Sequence, residues 1–176
     1  HLVLHILQHR QHVVLLLGVK FGQKDYVLTV LKDVEDEVRR SPKLRFNHPW
    51  FEEPTLGAER DARQVRLSDG EKRQLDSARS VLRAHVLAEV EVYTTGGRQP
   101  PSDTDCRVLA FGQIREAIVV TDDLGMHRLA GDFELPIWHG WELLAKMRSA
   151  KKVDNDLIRE IYDALERNGD LTATWR

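Results

Sequence analysis

The chain has 176 residues, enough for one domain with a sizeable core, and 31% of them are charged. That composition is typical of a soluble globular protein, and the net charge of -2 excludes a strongly basic nucleic-acid binder while allowing a local basic groove. The single cysteine, Cys106, excludes an intramolecular disulfide and favours a reducing, cytoplasmic setting. No apolar run approaches the roughly 20 residues of a membrane helix, so no membrane partner is expected.

The first third of the chain predicts a helix, a strand and a second helix. Residues 2–19 hold two apolar runs and are interpreted as helical. Aromatic and β-branched residues dominate 25–30, which predicts a strand. Residues 31–41 predict a helix that ends before Pro42, because Leu31, Val34 and Val38 share one face.

The middle of the chain divides into an irregular part and a strongly periodic part. Residues 43–70 lack clear periodicity and contain prolines, glycines and charges, which predicts an insertion or a flexible arm. Residues 71–93 predict a long helix with an apolar stripe formed by Leu75, Ala78, Leu82 and Val86.

The C-terminal half alternates predicted helices and strands. Ser102 is a plausible N-cap for a helix that precedes a short buried strand over 117–120. A helix over 125–131, a strand over 135–140 and C-terminal helices over 141–168 follow. Such alternation predicts an α/β fold with a parallel sheet, in one domain over 1–176. Sites in such sheets lie at the carboxyl ends of strands.

Acidic residues stand at three places that such a fold would bring together. Glu37 lies on the helix after the first predicted strand. Asp105, with Asp103 beside it, lies in the first turn of the helix that Ser102 begins. Asp123, with Asp122 beside it, follows the buried strand. Clustered carboxylates raise one another's pKa unless a cation lies between them, and oxygen ligands suit Mg²⁺ or Mn²⁺.

Each acid also has an interpretation that needs no metal. Glu37 could be a solvated helix acid, since exposed glutamates are the norm. Asp105 could close a capping box with Ser102, and Asp122 or Asp123 could cap the following helix.

The strand-end sequence VVTDD and the upstream SDTDCRVLA together resemble the PIN domain, and in particular its VapC-like members. In that family an acid in a helix, an Asp that starts a later helix, and a Thr-x-Asp after a strand form the site. Glu37, Asp105 and Asp123 match these three positions, and the resemblance is clearest over 101–144. The first Asp of the family pattern has no counterpart, so either it lies upstream of His1 or His5 replaces it.

The resemblance implies a three-layer α/β/α sandwich around a central parallel sheet, and a Mg²⁺- or Mn²⁺-dependent ribonuclease. It implies that Glu37, Asp105 and Asp123 are catalytic metal ligands, with Asp103 and Asp122 as further ligands. We expect Thr121, Arg107 and Arg128 to contact the RNA, because they lie nearest the acidic motifs. The family also implies a homodimer and, for a toxin of a toxin–antitoxin pair, an antitoxin partner.

Two other functions fit the same residues. A non-catalytic RNA-binding or interaction module would keep the basic surface and hold no metal. A phosphohydrolase would use the same carboxylates on small phosphate esters.

Overall fold

A computed structural model describes residues 20–22, 24–47, 49–94, 99–167, 169, 171 and 175. The helix predicted over 2–19, and His5 within it, lie outside the described residues. The described helices are α1 (Lys32–Arg40), α2 (Pro42–Asn47), α3 (Pro54–Ala62), α4 (Asp69–Ala88), α5 (Val90–Tyr93), α6 (Asp103–Ile114), α7 (Leu124–Asp132), α8 (Gly140–Ser149) and α9 (Asn155–Arg167), with a 3₁₀ turn at Pro49–Glu52. The described strands are β1 (Lys20–Phe21), β2 (Tyr26–Val27), β3 (Val119–Val120) and β4 (Ile137–Trp138).

The predicted α/β/α sandwich with a central parallel sheet is wrong. The described residues are 66% helix and 6% strand, and each of their two sheets has only two strands of two residues. The segment 25–30 was expected in the parallel sheet, but its strand β2 pairs antiparallel with β1. Gly22 at φ 70° and Asp25 at φ 51° allow this tight reversal, and the chain then enters α1 at Lys32.

The chain forms two compact units. Unit 1 comprises His1–Val65 and His139–Arg176, and unit 2 comprises Arg66–Trp138. In the part of the chain that the structure describes, no helix is long and apolar enough to cross a membrane.

An insertion or flexible arm was predicted over 43–70, and the part of this range in unit 1, up to Val65, contains helices. Pro42, Pro49 and Pro54 each occupy the first position of a helical element. Proline is tolerated there because the first amide of a helix needs no intrahelical acceptor. Pro49 and Pro54 therefore begin helical elements within the segment. The segment also buries Phe51 and Leu56.

Unit 1 also buries an ion pair that periodicity did not reveal. Glu35 of α1 is fully buried and Arg60 of α3 is 4% exposed. The Arg60 Nε lies 3.3 Å from Glu35 Oε1, and the guanidinium carbon lies 3.9 Å from the centre of the Phe51 ring. Arg60 donates to the Phe51 carbonyl at 2.6 Å, and Gln64 donates to Glu35 Oε1 at 2.9 Å. Burial lowers the pKa of Arg60, and Glu35 opposes that shift.

The remaining helix predictions in unit 1 are confirmed. The helix α1 ends before Pro42 and buries Val38. The helix α9 buries its predicted stripe, and Asp154 caps its start by accepting a hydrogen bond from the Leu157 amide at 2.8 Å. The stripe consists of Leu157, Ile161 and Leu165.

Unit 2 is organised around the antiparallel pair of α4 and α6. The predicted stripe of α4 is confirmed, because Leu75, Leu82 and Val86 are buried. Three ion pairs join the two helices along their length: Arg115 with Glu71, Arg107 with Asp76, and Arg79 with Asp103. This regular pairing fixes where the N-terminus of α6 lies along α4.

The predicted strand, helix and strand after α6 are confirmed, although both strands are shorter than expected. The strands β3 and β4 are parallel neighbours, and α7 connects them. Such a crossover places the end of β3 next to the start of α7. The local prediction was therefore correct where the prediction for the whole sheet was wrong.

Candidate functional site

The carboxyl end of β3 leads directly into a capped helix. The Thr121 amide donates to the Trp138 carbonyl, which extends the parallel pairing by one residue. The Asp123 amide then donates to Thr121 Oγ1 at 3.2 Å, and Asp123 Oδ1 accepts from the Met126 amide at 2.9 Å. Asp123 is thus the N-cap of α7, as one of its two interpretations predicted.

Asp105 forms the predicted capping box at the start of α6. Its Oδ2 accepts from the Ser102 amide and hydroxyl, both at 2.8 Å, while Ser102 Oγ accepts from the Asp105 amide at 3.2 Å. The box closes the first turn of α6 and holds the carboxylate in one orientation.

Gly125 brings the N-termini of α6 and α7 together. A Cβ at this position would lie 2.8 Å from the Tyr93 carbonyl oxygen, 3.0 Å from Pro101 Cδ and 3.1 Å from Asp123 Oδ1. Only a residue without a side chain allows so close an approach. Pro101 immediately precedes the capping box of Asp105. The residue before the α6 cap therefore packs against the first turn of α7 at Gly125. We call the two capping carboxylates, Asp105 and Asp123, the acidic corner.

Capping uses only one oxygen of each carboxylate in the acidic corner. The hydrogen bonds of Asp105 end on Oδ2, and the side-chain bond of Asp123 ends on Oδ1. Asp105 Oδ1 and Asp123 Oδ2 take no hydrogen bond from the described part of the chain. Both residues are half-buried, so these oxygens can meet a ligand from solvent.

The other predicted acids are placed differently. Glu37 is exposed on α1 in unit 1, whereas the acidic corner belongs to unit 2. Asp103 is exposed and forms an ion pair with Arg79 at 3.0 Å, and Asp122 is half-buried beside Asp123. Among the residues that the structure describes, no three or more His, Cys, Asp or Glu side chains are grouped so that they could hold a metal ion.

Basic side chains surround the start of α6. Arg83 donates to the Pro101 carbonyl at 2.9 Å, and Arg79 pairs with Asp103. The predicted phosphate contact Arg107 pairs with Asp76 at 2.8 Å. Sequence reasoning did not identify Arg79 and Arg83 as neighbours of the acids. Their spacing of four residues on one helix face was the available signal.

The predicted RNA contact Arg128 lies on the exposed face of α7. It makes no hydrogen bond or ion pair with the described residues, so its guanidinium is available to a ligand. The neighbouring His127 has its Nε2 2.8 Å from the Thr121 carbonyl oxygen. That contact joins the His127 side chain of α7 to the backbone just after β3.

Cys106 follows Asp105 but has no nucleophilic role. Its side chain is fully buried, and burial raises the pKa of the thiol to about 11. The thiolate is the reactive form, so this cysteine stays inert at neutral pH.

Tyr93 connects the acidic corner with the far end of α7. Its carbonyl oxygen packs against Gly125, and its buried hydroxyl donates to Asp132 Oδ2 at 2.5 Å. Burial raises the pKa of this phenol far above its ordinary value, and the hydrogen bond to Asp132 adds to the shift.

Replacing Tyr93 by phenylalanine is expected to lower the free energy of unfolding by about 1.5–3 kcal/mol, because the lost hydrogen bond ends on a charged acceptor. The raised pKa also predicts that this stabilisation is complete below pH ~10 and falls as the unfolded phenol ionises above that pH. Urea unfolding at pH 7 and pH 11 should show that the difference between parent and variant shrinks at the higher pH. An equal difference at both pH values would contradict the neutral buried phenol.

Comparison with protein-family models, with curated proteins and with solved structures finds no match to this chain.

Proposed function

We propose that the acidic corner is the metal-binding site of a ribonuclease that depends on Mg²⁺ or Mn²⁺. The observation that carries the proposal is the packing at Gly125, which brings Pro101, the residue before the α6 cap, against the first turn of α7. The capping carboxylates of the two helices are half-buried, and each keeps an oxygen for a ligand.

The donors at the acidic corner suit a hydrated magnesium ion. Mg²⁺ is commonly bound through one or two carboxylates, keeps several waters and takes substrate phosphate oxygens as further ligands. Asp105 Oδ1 and Asp123 Oδ2 would supply the protein ligands. When bound, the ion would lower the pKa of a water and neutralise charge on a phosphodiester. Glu37, Asp103 and Asp122 are not needed for such a water-rich site.

The residues around the acidic corner support a polyanionic substrate. Arg79 and Arg83 lie at the start of α6, and Arg128 lies one turn into α7 without a partner among the described residues. Positive side chains that track a phosphate backbone supply most of the affinity for nucleic acid. Single-stranded or looped RNA is the proposed substrate, because its backbone is open to an in-line water.

Asp105→Asn and Asp123→Asn are expected to abolish Mn²⁺ binding and metal-dependent cleavage of a fluorescently labelled single-stranded RNA. Each amide keeps one acceptor oxygen for the cap but loses the charge that attracts the ion. Binding is measured by calorimetry, and cleavage by gel analysis with Mn²⁺ and with EDTA.

Glu71→Gln is the matched control, because Glu71 closes the same kind of capping box with Ser68 at the start of α4. Like the two asparagine variants it keeps an acceptor oxygen for its cap, and it should keep both metal binding and cleavage. Full cleavage by Asp105→Asn or Asp123→Asn would refute the proposed site.

A non-catalytic RNA-binding module is the second candidate. It is favoured by the absence of a third metal ligand at the acidic corner within the described residues. RNA binding by the parent protein without Mn²⁺ binding or cleavage would support it. In that case Asp105 and Asp123 act only as helix caps.

A further inference from the structure

A groove of about 350 Å³ lies in unit 2 beside the far end of α7. Its lining residues come from the end of α4, the α4–α5 junction, α5, α7 and the residue after α7. They are His85, Glu89, Val92, Arg128, Asp132 and Phe133. The groove thus combines an aromatic wall with one guanidinium and two carboxylates, a combination that the proposed metal chemistry does not use.

The aromatic wall consists of rings that pack edge-on against one another. The His85 ring meets the Phe133 ring edge-on, with centroids 5.1 Å apart and planes at 88°. The same imidazole meets the Tyr93 ring at 5.8 Å. Aromatic side chains of this kind provide stacking surfaces for unpaired RNA bases.

The charged side chains of the groove have hydrogen-bonding groups to offer a ligand, and they differ in whether they donate or accept. Arg128 and Glu89 make no side-chain hydrogen bond or ion pair with the described part of the chain. One carboxylate oxygen of Asp132 accepts the hydrogen bond from the Tyr93 hydroxyl. Glu89 is therefore the carboxylate with both oxygens open to two adjacent donors, and Arg128 offers paired donors to two adjacent acceptors.

We propose that this groove binds a guanine base of the RNA substrate. Guanine presents adjacent acceptors, O6 and N7, to an arginine, and adjacent donors, N1–H and the exocyclic amino group, to a carboxylate. Adenine and uracil alternate donors and acceptors on these edges. Cytosine has adjacent acceptors, N3 and O2, but only its amino group as a donor, so none of the three bases satisfies both charged groups. Arg128 binds O6 and N7, Glu89 accepts from N1–H and the amino group, and the base packs against His85 and Phe133.

The groove is connected with the acidic corner through Tyr93 and α7. Tyr93 contacts Gly125 with its carbonyl oxygen and Asp132 with its hydroxyl. Arg128 lies five residues after Asp123, which is about 7.5 Å along a helix axis. A guanine bound through Arg128 would therefore lie between one and two helical turns from the acidic corner along α7. The inference rests on the proposed function, because it takes this base to be part of the RNA substrate.

The test measures the affinity of the full chain for four nucleoside monophosphates in the presence of EDTA. NMR chemical shifts and calorimetry report the binding. Guanosine monophosphate should bind about ten-fold or more tightly than the adenosine, cytidine and uridine compounds. Arg128→Ala and Glu89→Gln should each weaken guanosine monophosphate binding by about ten-fold. Arg73→Ala and Glu91→Gln are the matched controls, since both residues are exposed and outside the groove, and they should bind as the parent does.

Equal affinity for the four nucleotides, or competition by inorganic phosphate alone, would overturn the guanine assignment. Unchanged binding in Arg128→Ala and Glu89→Gln would overturn it as well. Because the titrations contain no metal, their failure does not bear on the cleavage assay with Asp105→Asn. Loss of cleavage in that variant with guanine selectivity intact would leave both proposals standing.

Discussion

Replacing Glu35 by leucine is expected to lower the free energy of unfolding by about 3–5 kcal/mol, the largest effect of any single change considered for unit 1. The substitution leaves the Arg60 guanidinium buried without its carboxylate. Arginine does not lose its proton in proteins, so the charge cannot be removed to relieve the penalty. Its contacts with the Phe51 carbonyl and ring remain, but neither supplies a negative charge.

Urea unfolding followed by circular dichroism measures this cost, and two further variants separate its causes. The double variant Glu35→Leu with Arg60→Met removes both charges, and we expect it to recover most of the stability, because an apolar pair of similar volume needs no desolvation. Glu59→Gln breaks the exposed Arg63–Glu59 pair on the same helix α3 and should cost less than about 1 kcal/mol. A loss for Glu35→Leu as small as that of Glu59→Gln would show that the pair is not buried in solution.

The buried ion pair also shows where sequence reasoning reaches its limit in unit 1. Periodicity placed Leu31, Val34 and Val38 on one face of α1, and Val38 is buried as predicted. Glu35 lies on the same face, but a helical pattern cannot show that a distant arginine will accompany it into the core. The arginine lies in the segment 43–70, which lacks clear periodicity and contains prolines, glycines and charges. Composition and periodicity report local preference, whereas the pairing of Glu35 with Arg60 joins two separate helices.

In unit 2 the helices and strands predicted from the sequence are present, but the central parallel sheet predicted for the whole chain is not found in the described residues. Ser102 begins α6, Asp123 begins α7, and strands precede and follow α7. These features depend on signals within about four residues, such as caps and short apolar runs. The number of strands that pair depends on contacts between distant segments, and the segment 25–30 satisfied its backbone in a hairpin with β1. Local cap and strand signals therefore predicted these elements correctly, and the three-layer α/β/α architecture that the resemblance implied is wrong.

The residues of the acidic corner were identified from the sequence, but the packing around them was not. Asp105 and Asp123 were identified from spacing, and each was given both a capping and a metal-binding interpretation. Capping is confirmed for both, and the arrangement leaves a second oxygen on each carboxylate. The contact between the start of α7 and the residue before α6 depends on Gly125, whose role cannot be recognised without knowing that Tyr93 and Pro101 lie against it.

Gly125→Ala is therefore expected to impair the acidic corner while leaving every proposed ligand in the chain. The new methyl group would lie 2.8 Å from the Tyr93 carbonyl oxygen and 3.0 Å from Pro101 Cδ, so α7 must shift away from the start of α6. Overpacking of this kind costs about 1–3 kcal/mol of unfolding free energy. The shift also separates Asp123 from Asp105, so Mn²⁺ affinity and RNA cleavage should fall together.

Gly131→Ala is the matched control, because it makes the same change in the same helix at a position where the added Cβ meets nothing within 4 Å. Alanine is the better helix former by about 1 kcal/mol, so this variant should be as stable as the parent or more so, with metal binding unchanged. Urea unfolding and Mn²⁺ calorimetry on both variants measure the two effects separately. A Gly125→Ala protein that loses stability but binds Mn²⁺ as the parent does would show that the ion does not bridge the two caps. The carboxylates would then act separately, which is what their capping roles alone require.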